Sequence, residues 1–179
     1  MDISFKSGKF ERCIKVGEEL LKDKKRDDAS DISKIVGESY FNLGNYAAAI
    51  PYLKNYKGTK GKWNNTDFYQ LGYAYYKQND FENAIAFFNK IIDQKNAVSQ
   101  NAYYHLAECY LNTKKKNEAL NAFKTASEMD FNQKIKEDAA LNYAKLSYDI
   151  GNQYQTVPGI LLDFLKKYPN NSSRSEVEK

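Results

Sequence analysis

Histidine is almost absent from this sequence of 179 residues, in which His105 is the only one. A zinc cluster with several histidines, an HExxH metal site or a triad with a second histidine therefore cannot be built. The phosphate-loop pattern GxxxxGK followed by Ser or Thr is missing as well, since the glycines of segment 58–62 lie too close together and follow a predicted helix. We therefore predict no catalytic residues, no metal site and no cofactor, and we interpret the chain as a non-enzyme.

Cysteine and long apolar runs are also scarce. The two cysteines, Cys13 and Cys109, are too few for a disulfide framework. Their positions on apolar helical faces predict core packing rather than redox or metal chemistry. A mean hydropathy of −0.75 predicts no membrane-spanning helix. These features leave the compartment open.

Arginine is scarce among the basic residues, with 3 of the 27. The net charge of +4 comes from lysine-rich patches at 22–26, 57–62 and 114–116, all in predicted turns or connections. Nucleic-acid binding favours aligned basic residues, often arginine, with interleaved aromatic residues. We interpret the patches as solvated turns and keep binding of nucleic acid or an anionic surface as the less favoured alternative. The excess of lysine, with abundant asparagine, indicates an AT-rich, bacterial coding sequence.

What the sequence does contain is a repeat marked by small residues about 35 residues apart. The first set lies at Gly37, Gly72, Ala107 and Ala144. The second set lies at Ala49, Ala84 and Ala119. Apolar residues around both sets follow three- and four-residue steps, which are typical of amphipathic helices. A unit of this length is too short to bury its own apolar face, so we predict antiparallel helix pairs that complete one another's core.

The turn inside each helix pair is predicted from the residue that follows the first helix. A left-handed residue, usually glycine or asparagine, ends many helices. Such residues lie at Gly8, Gly44, Asn79 and Gly151. Lys114 occupies the same place in the third unit and is the exception to this pattern.

The second unit carries the repeat pattern most clearly. Leu71, Gly72 and Tyr75 are followed by Ala84 and Phe88. This resembles the tetratricopeptide repeat, whose signature places Leu-Gly-x-x-Tyr on the first helix and Ala-x-x-x-Phe on the second. The resemblance covers nearly the whole chain, although no unit has the Trp of the family signature. It implies an all-α fold, a right-handed superhelical solenoid of stacked antiparallel helix pairs.

Repeat boundaries follow from this frame. We place a leading half repeat, consisting of a second helix, at 1–23, and full repeats at 31–57, 65–97, 99–130 and 136–169, all in one solenoid domain. The fourth repeat holds one extra residue between Gly151 and Tyr154. Residues 170–179 are a tail or the start of a truncated further repeat. We expect the chain to be an internal piece of a longer array, whose uncapped ends are open to self-association.

The resemblance also implies a binding surface, because the first helices of this family line a concave groove. Carried over by position, the groove residues are Lys34, Glu38, Phe41, Asn42, Tyr69, Tyr73, Tyr76, Lys77, Tyr104, Glu108, Leu111, Asn112, Leu141, Lys145, Tyr148 and Asp149. Tyrosine offers a rigid face with a polar tip, which suits it to hold a peptide or a helix. The alternative is that these tyrosines merely pack against neighbouring first helices.

The ligand of such a groove is constrained by charge. Repeats of this family that clamp an acidic C-terminus use Lys and Asn at positions that here hold Glu38, Tyr73 and Glu108. Because the two glutamates would repel an acidic terminus, we expect an aromatic- or aliphatic-anchored segment of modest charge. Trp63 either extends this surface or, the interpretation we favour, staples the helix that follows it.

The predicted function is a protein-protein interaction scaffold that holds a peptide or helical segment in the groove. The alternative is a structural array of the bacterial cell envelope that acts through end-to-end stacking. An envelope, periplasmic location is slightly favoured over the cytoplasm. The partner protein itself is not identified by these residues.

Overall fold

The computed structural model describes residues 3–91, 95–151 and 157–173, and the side chains of these residues except 3–7 and 157–158. Regular structure in this part of the chain is helical, apart from an isolated antiparallel bridge between Thr59 and Lys62. The helices are α1 (Ile3–Leu20), α2 (Ala29–Asn42), α3 (Tyr46–Asn55), α4 (Asn65–Lys77), α5 (Phe81–Phe88), α6 (Ala97–Asn112), α7 (Lys116–Glu128), α8 (Gln133–Ile150) and α9 (Val157–Lys167). The predicted all-α, helical-repeat class is confirmed. Tyr154 and the tail after Ser173 lie outside the described residues.

Two compact units divide the chain, Met1–Ile91 and Ile92–Lys179. In the first unit each helix from α1 to α5 packs against the next, and in the second unit the same holds from α6 to α9. In chain order the described helices follow one another as α1 and then the pairs α2 and α3, α4 and α5, α6 and α7, and α8 and α9. Within the described residues, no helix is both long and apolar enough to cross a membrane.

Close helix contact in the first unit depends on glycine. A methyl group added at Gly37 would lie 2.9 Å from the side chain and the backbone nitrogen of Leu53 on α3. A methyl group added at Gly72 would lie 2.9 Å from the ring of Phe88 on α5. Both distances are shorter than carbon atoms tolerate, so glycine is required where each first helix crosses its second helix.

Alanine has the corresponding role on the second helices. Ala49, Ala84 and Ala119 are fully buried, with no exposed surface. Ala119 belongs to the core of the second unit, where it packs with Ala107 and Phe123. The predicted place of the small residues at the helix crossings is thus the observed one.

Three helix-to-helix turns share one backbone motif. In the first of them, Asn45 N donates to Tyr40 O at 2.9 Å and Gly44 N donates to Phe41 O at 3.0 Å. This is the Schellman arrangement, in which the residue after the helix is left-handed. Gly44 has φ of +76°, and the turns after α4 and α6 repeat the same hydrogen bonds.

Two of the turn predictions are wrong. Lys114, expected to be the exception, has φ of +61° and closes the turn after α6 as Gly44 does after α2. The backbone bonds of the motif outweigh the steric cost of a side chain in this conformation, which is about 1 kcal/mol. Gly8, expected to form a turn, lies inside α1, where an α-helix accepts glycine at a cost of about 1 kcal/mol. Asn79 and Gly151 have positive φ, as predicted.

The start of α4 is fixed by a capping box and an aromatic staple. The side chain of Asn64 accepts from Asp67 N, and Asp67 accepts from Asn64 N. Trp63 packs on Phe68 with ring centroids 5.4 Å apart, and its Nε1 donates to Tyr56 O at 2.7 Å. Trp63 therefore staples α4, which is the role that the sequence favoured for it.

A buried glutamine organises the second unit. Gln100 has no exposed surface, and its Nε2 donates to Met129 O at 2.8 Å and to Ala126 O at 3.1 Å. Its Oε1 accepts from Asn132 N at 2.7 Å. One side chain on α6 thus satisfies the backbone where α7 ends and α8 begins.

The two cysteines differ from each other. Cys109 is fully buried, and burial raises the pKa of its thiol to about 12. Cys13, also predicted to be a core residue, is only partly buried and lines an open cleft. Cys13 lies on the side of α1 that also carries the exposed Val16 and Leu20. Because this side of the helix is only partly covered, the core prediction is wrong for Cys13.

Candidate binding surface

Six aromatic side chains form one connected cluster in the first unit, which we call the aromatic patch. Its members are Phe41 on α2, Tyr46 on α3, Tyr69, Tyr73 and Tyr76 on α4, and Phe81 on α5. All six are partly exposed. Four helices therefore contribute to one surface of rings that is neither buried nor fully open.

Tyr73 lies at the centre of the patch. Its ring centroid lies 5.7 Å from that of Phe41, 5.7 Å from Tyr46, 5.9 Å from Tyr69 and 5.8 Å from Tyr76. Most of these ring pairs are tilted or edge-to-face, geometries that aromatic pairs prefer. The patch is thus held in shape by its own ring contacts.

The patch is also anchored to the core. Tyr69 contacts Phe88, whose ring is fully buried, with centroids 5.9 Å apart. Gly72, on the same helix, allows α4 to approach Phe88 closely. Because α4 sits tightly on α5, the three α4 tyrosines that belong to the aromatic patch project from a fixed backbone.

Charged groups lie beside the patch rather than within it. The ammonium group of Lys77 lies 6.0 Å from the ring centroid of Tyr46. Lys34, predicted to line the groove, instead forms a 2.8 Å ion pair with the nearly buried carboxylate of Asp67. Burial lowers the pKa of Lys34, but the hydrogen bond and charge of Asp67 outweigh this and leave the pKa above its ordinary value. Lys34 therefore joins α2 to α4, and Glu38, 3.9 Å from it, belongs to the same network.

The amides predicted to line the groove bond to their own helices. Asn42 Nδ2 donates to Glu38 O at 2.7 Å, and Asn112 Nδ2 donates to Glu108 O at 2.9 Å. Both asparagines are exposed near the ends of their helices. The amide nitrogens of both residues are therefore engaged by carbonyl groups of their own helices.

The second unit arranges its predicted residues differently. Tyr104 packs edge-on against the buried Phe123 at 5.8 Å, and burial, with the charges of Glu108 and Asp138, raises the pKa of Tyr104 to about 12. Leu111 is 37% exposed and Tyr148 is 72% exposed. Tyr104 thus belongs partly to the core, whereas the other two are open to solvent.

The remaining predicted residues of the second unit have separate surroundings. Leu141 packs against the core formed by α8 and α9, and Lys145 is exposed. Asp149 pairs with Lys116 at the start of α7. Glu108 Oε2 lies at hydrogen-bond distance, 2.9 Å, from His105 Nδ1. These four predicted residues all lie on helices of the second unit, Glu108 on α6 and the other three on α8.

Two members of the aromatic patch were missed by the sequence analysis. Tyr46 and Phe81 are the first residues of α3 and α5, each directly after an Asn or Asp cap. Groove residues were assigned from the sequence only on first helices, so Tyr46 and Phe81 were not considered. Tyr46 and Phe81 are 35 residues apart, and each directly follows a capping residue, Asn45 or Asp80. This repeated aromatic position is the sequence signal that could have identified them.

A cluster of hydrogen-bonded side chains around Glu18 was also missed by the sequence analysis. The hydroxyls of Tyr40 and Tyr52 both donate to Glu18 Oε1, at 2.7 and 2.8 Å, and the two rings stack 5.7 Å apart. The hydrogen bond to Glu18, together with burial, raises the pKa of Tyr40 to about 12. This cluster ties α1 to the first hairpin and is a structural feature.

Comparisons with known proteins agree with this architecture. The profile of the tetratricopeptide repeat matches residues 35–56, and that of the anaphase-promoting complex, cyclosome, subunit 3 matches residues 59–126. No curated protein matches the chain.

Solved structures similar to the chain include a putative kinesin light chain from Podosopora anserina with nearly identical TPR-like repeats. Its crystal structure has a TM-score of 0.62 and 12% identity, covering 93% of this chain and 90% of that one. A single-substitution variant of the same protein also has a TM-score of 0.62 and 12% identity, covering 94% of this chain and 89% of that one. At this identity the likeness concerns the fold.

Proposed function

We propose that this chain is a non-enzymatic scaffold that binds a peptide or helical segment on the aromatic patch. Its repeats resemble those of the tetratricopeptide-repeat family, whose members generally mediate protein-protein interactions. The observation that carries the proposal is the continuity of partly exposed rings from Phe41 through Tyr73 to Phe81. A surface needed only for helix packing would bury these rings, as the fully buried Phe88 is.

The chemistry of the patch selects the ligand. Tyrosine rings provide apolar contact area with few rotatable bonds, so little conformational entropy is lost on binding. Their hydroxyl groups supply hydrogen bonds at the edge of an apolar contact. Lys34 is paired with both Asp67 and Glu38, which leaves the patch without a strong net charge. The ligand is therefore a segment with aromatic or aliphatic anchors and modest charge.

A peptide-display selection tests this proposal. Peptides enriched on the native chain are synthesised, and their affinities are measured by isothermal titration calorimetry for the native chain and for the Tyr73→Ala, Tyr76→Ala variant. Loss of two central anchors is expected to weaken binding by about 100-fold. Circular dichroism checks that the variant keeps its helical content.

Phe131→Ala is the matched control, since Phe131 is an exposed aromatic residue of the second unit that lies outside the predicted groove. It is expected to leave the affinity unchanged. If no peptide is enriched, or if the double variant binds the enriched peptides as tightly as the native chain does, the aromatic patch is not the binding surface. The bacterial origin and the envelope location stay predictions from composition.

A further inference from the structure

Three lysine-rich patches lie in connections between helices, and their ion pairs distinguish them. The patch between α1 and α2 contains Arg26, which pairs with Asp28 at 2.8 Å. The patch at the start of α7 contains Lys116, which pairs with Asp149. Acidic side chains therefore balance part of the charge of both patches.

The third patch is the segment 57–62 between α3 and α4, which we call the basic loop. It contains Lys57, Lys60 and Lys62 and no acidic residue. All three lysines are exposed, and none of them forms an ion pair within the described part of the chain. The basic loop thus differs from the other two patches, because its charge has no acidic counterpart among those residues.

The acidic residues nearest in sequence do not neutralise the basic loop. No Asp or Glu occurs between Glu38 and Asp67. Lys34 lies 3.9 Å from the carboxylate of Glu38 and 2.8 Å from that of Asp67, so it pairs with both. The side chain of Asp67 is also only 4% exposed. The charge of the basic loop is therefore not balanced by the sequence that flanks it.

The basic loop is held in one conformation by its backbone. Lys62 N donates to Thr59 O at 3.1 Å, and these two residues form the antiparallel bridge. Lys57 N donates to Ser30 Oγ at 2.9 Å, which ties the loop to the start of α2. Gly58, with φ of +84°, lets the chain fold back closely on Lys62. Because the loop is already ordered, little conformational entropy is lost when a ligand binds to it.

We propose that the basic loop binds an acidic segment of a partner protein, a run of three or four Asp or Glu side chains. Charge complementarity sets the sign of the ligand. The number of ammonium groups sets its length, since the loop supplies three and Lys54, exposed in the last turn of α3, supplies a fourth. This site uses none of the residues of the aromatic patch.

The size and composition of the loop favour an acidic protein segment over a nucleic acid or a membrane. A nucleic-acid site typically contacts about 6–10 phosphates and uses arginine or exposed rings, whereas the loop and Lys54 offer four lysines and no arginine. Trp63, which follows the loop, packs on Phe68 and donates its Nε1 to Tyr56 O, so it is committed to the fold. Stable membrane anchoring takes a second, apolar signal besides a basic patch, and the loop has no apolar side chain to insert.

Fluorescence anisotropy with a labelled octaglutamate peptide tests the proposal on the full chain. Two triple variants remove the same charge, one from the basic loop and one from the patch between α1 and α2: Lys57→Gln with Lys60→Gln and Lys62→Gln, and Lys22→Gln with Lys24→Gln and Lys25→Gln. All six lysines are exposed, so both variants are expected to fold, which circular dichroism verifies. Loss of three exposed ion pairs in the loop variant is expected to raise Kd about tenfold, and the other variant is expected to change Kd by less than about twofold.

Further measurements identify what the loop recognises. Raising the salt concentration from about 20 mM to about 200 mM is expected to weaken octaglutamate binding about tenfold, because salt screens exposed charges. An octaglutamine peptide is expected not to bind. Tyr73→Ala with Tyr76→Ala is expected to leave octaglutamate binding unchanged, which separates this site from the aromatic patch.

Three outcomes would overturn the proposal. The first is the absence of saturable octaglutamate binding at low salt. The second is equal weakening by the two triple variants, which would show attraction by net charge alone. The third is tighter binding of a single-stranded DNA of eight nucleotides, or of phosphatidylserine vesicles, that is lost in the loop variant. That result would identify a nucleic acid or a membrane as the partner of the loop.

Discussion

Replacing Gln100 by leucine is the most direct test of how the second unit is held together. Leucine keeps much of the side-chain volume but removes the amide that bonds to Ala126 O, Met129 O and Asn132 N. Gln100 has no exposed surface, and Met129 is 9% exposed. Water therefore has little access to the backbone groups that lose their partner.

The cost follows from the number of groups left without a hydrogen bond. A buried polar group without a partner costs about 1–3 kcal/mol. The carbonyl groups of Ala126 and Met129 are the two that count, since Asn132 is itself exposed and its N–H can turn to water. Leucine recovers part of this by burying apolar surface, so we expect a net loss of about 3 kcal/mol in the free energy of unfolding.

Urea unfolding followed by circular dichroism at the helical band measures this loss. With a denaturant slope of about 1.5 kcal/mol/M, the midpoint of the transition that reports the second unit falls by about 2 M. Gln133→Leu is the matched control, because Gln133 is exposed at the start of α8. It is expected to change the free energy of unfolding by less than about 0.5 kcal/mol. Equal midpoints for the two variants would refute the role assigned to Gln100.

Two further predictions concern the first unit. The pKa of Tyr40 is raised to about 12 by its hydrogen bond to Glu18, so the folded state holds this proton more tightly than the unfolded chain does, where the pKa is about 10. The stabilisation is complete below about pH 10 and is lost as the pH rises towards 12. Between pH 10 and pH 12 the urea midpoint should therefore fall less steeply with pH for Tyr40→Phe than for the native chain. Equal slopes for the two proteins would contradict the assignment. Gly58 has φ of +84°, and an added methyl group would lie 2.3 Å from the carbonyl group of Lys62. Gly58→Ala should therefore lower the melting temperature clearly more than Gly61→Ala, which shares a positive φ but meets no atom within 4 Å, and similar melting temperatures would show that the contact is not limiting.

The helix pairs were predictable because their signals are local. The small residues at Gly37 and Gly72 and the three- and four-residue apolar steps recur at a fixed interval, and each reflects a constraint inside one hairpin. The turn at Lys114 was not predictable in this way, since lysine has no preference for the left-handed conformation. Its φ of +61° is imposed by the backbone bonds of the turn.

The aromatic patch was only partly predictable. Tyr69, Tyr73 and Tyr76 were assigned from their positions on a first helix, and the structure brings them into one cluster. Lys34 was assigned to the same surface, yet its ammonium group is held by Asp67, 33 residues away in sequence. A pairing of this kind depends on how two helices pack, which a positional rule does not contain.

The sequence by itself determined the helices, their pairing and the places where glycine or alanine must lie, because these depend on periodicity and on contacts between neighbours in the chain. Only the tertiary structure decided which side chains remain accessible. It placed Tyr73 at the centre of a ring cluster, buried the amide of Gln100 and left Cys13 only partly buried. Exposure is set by which helices come to lie over a residue, and segments far apart in sequence settle that together.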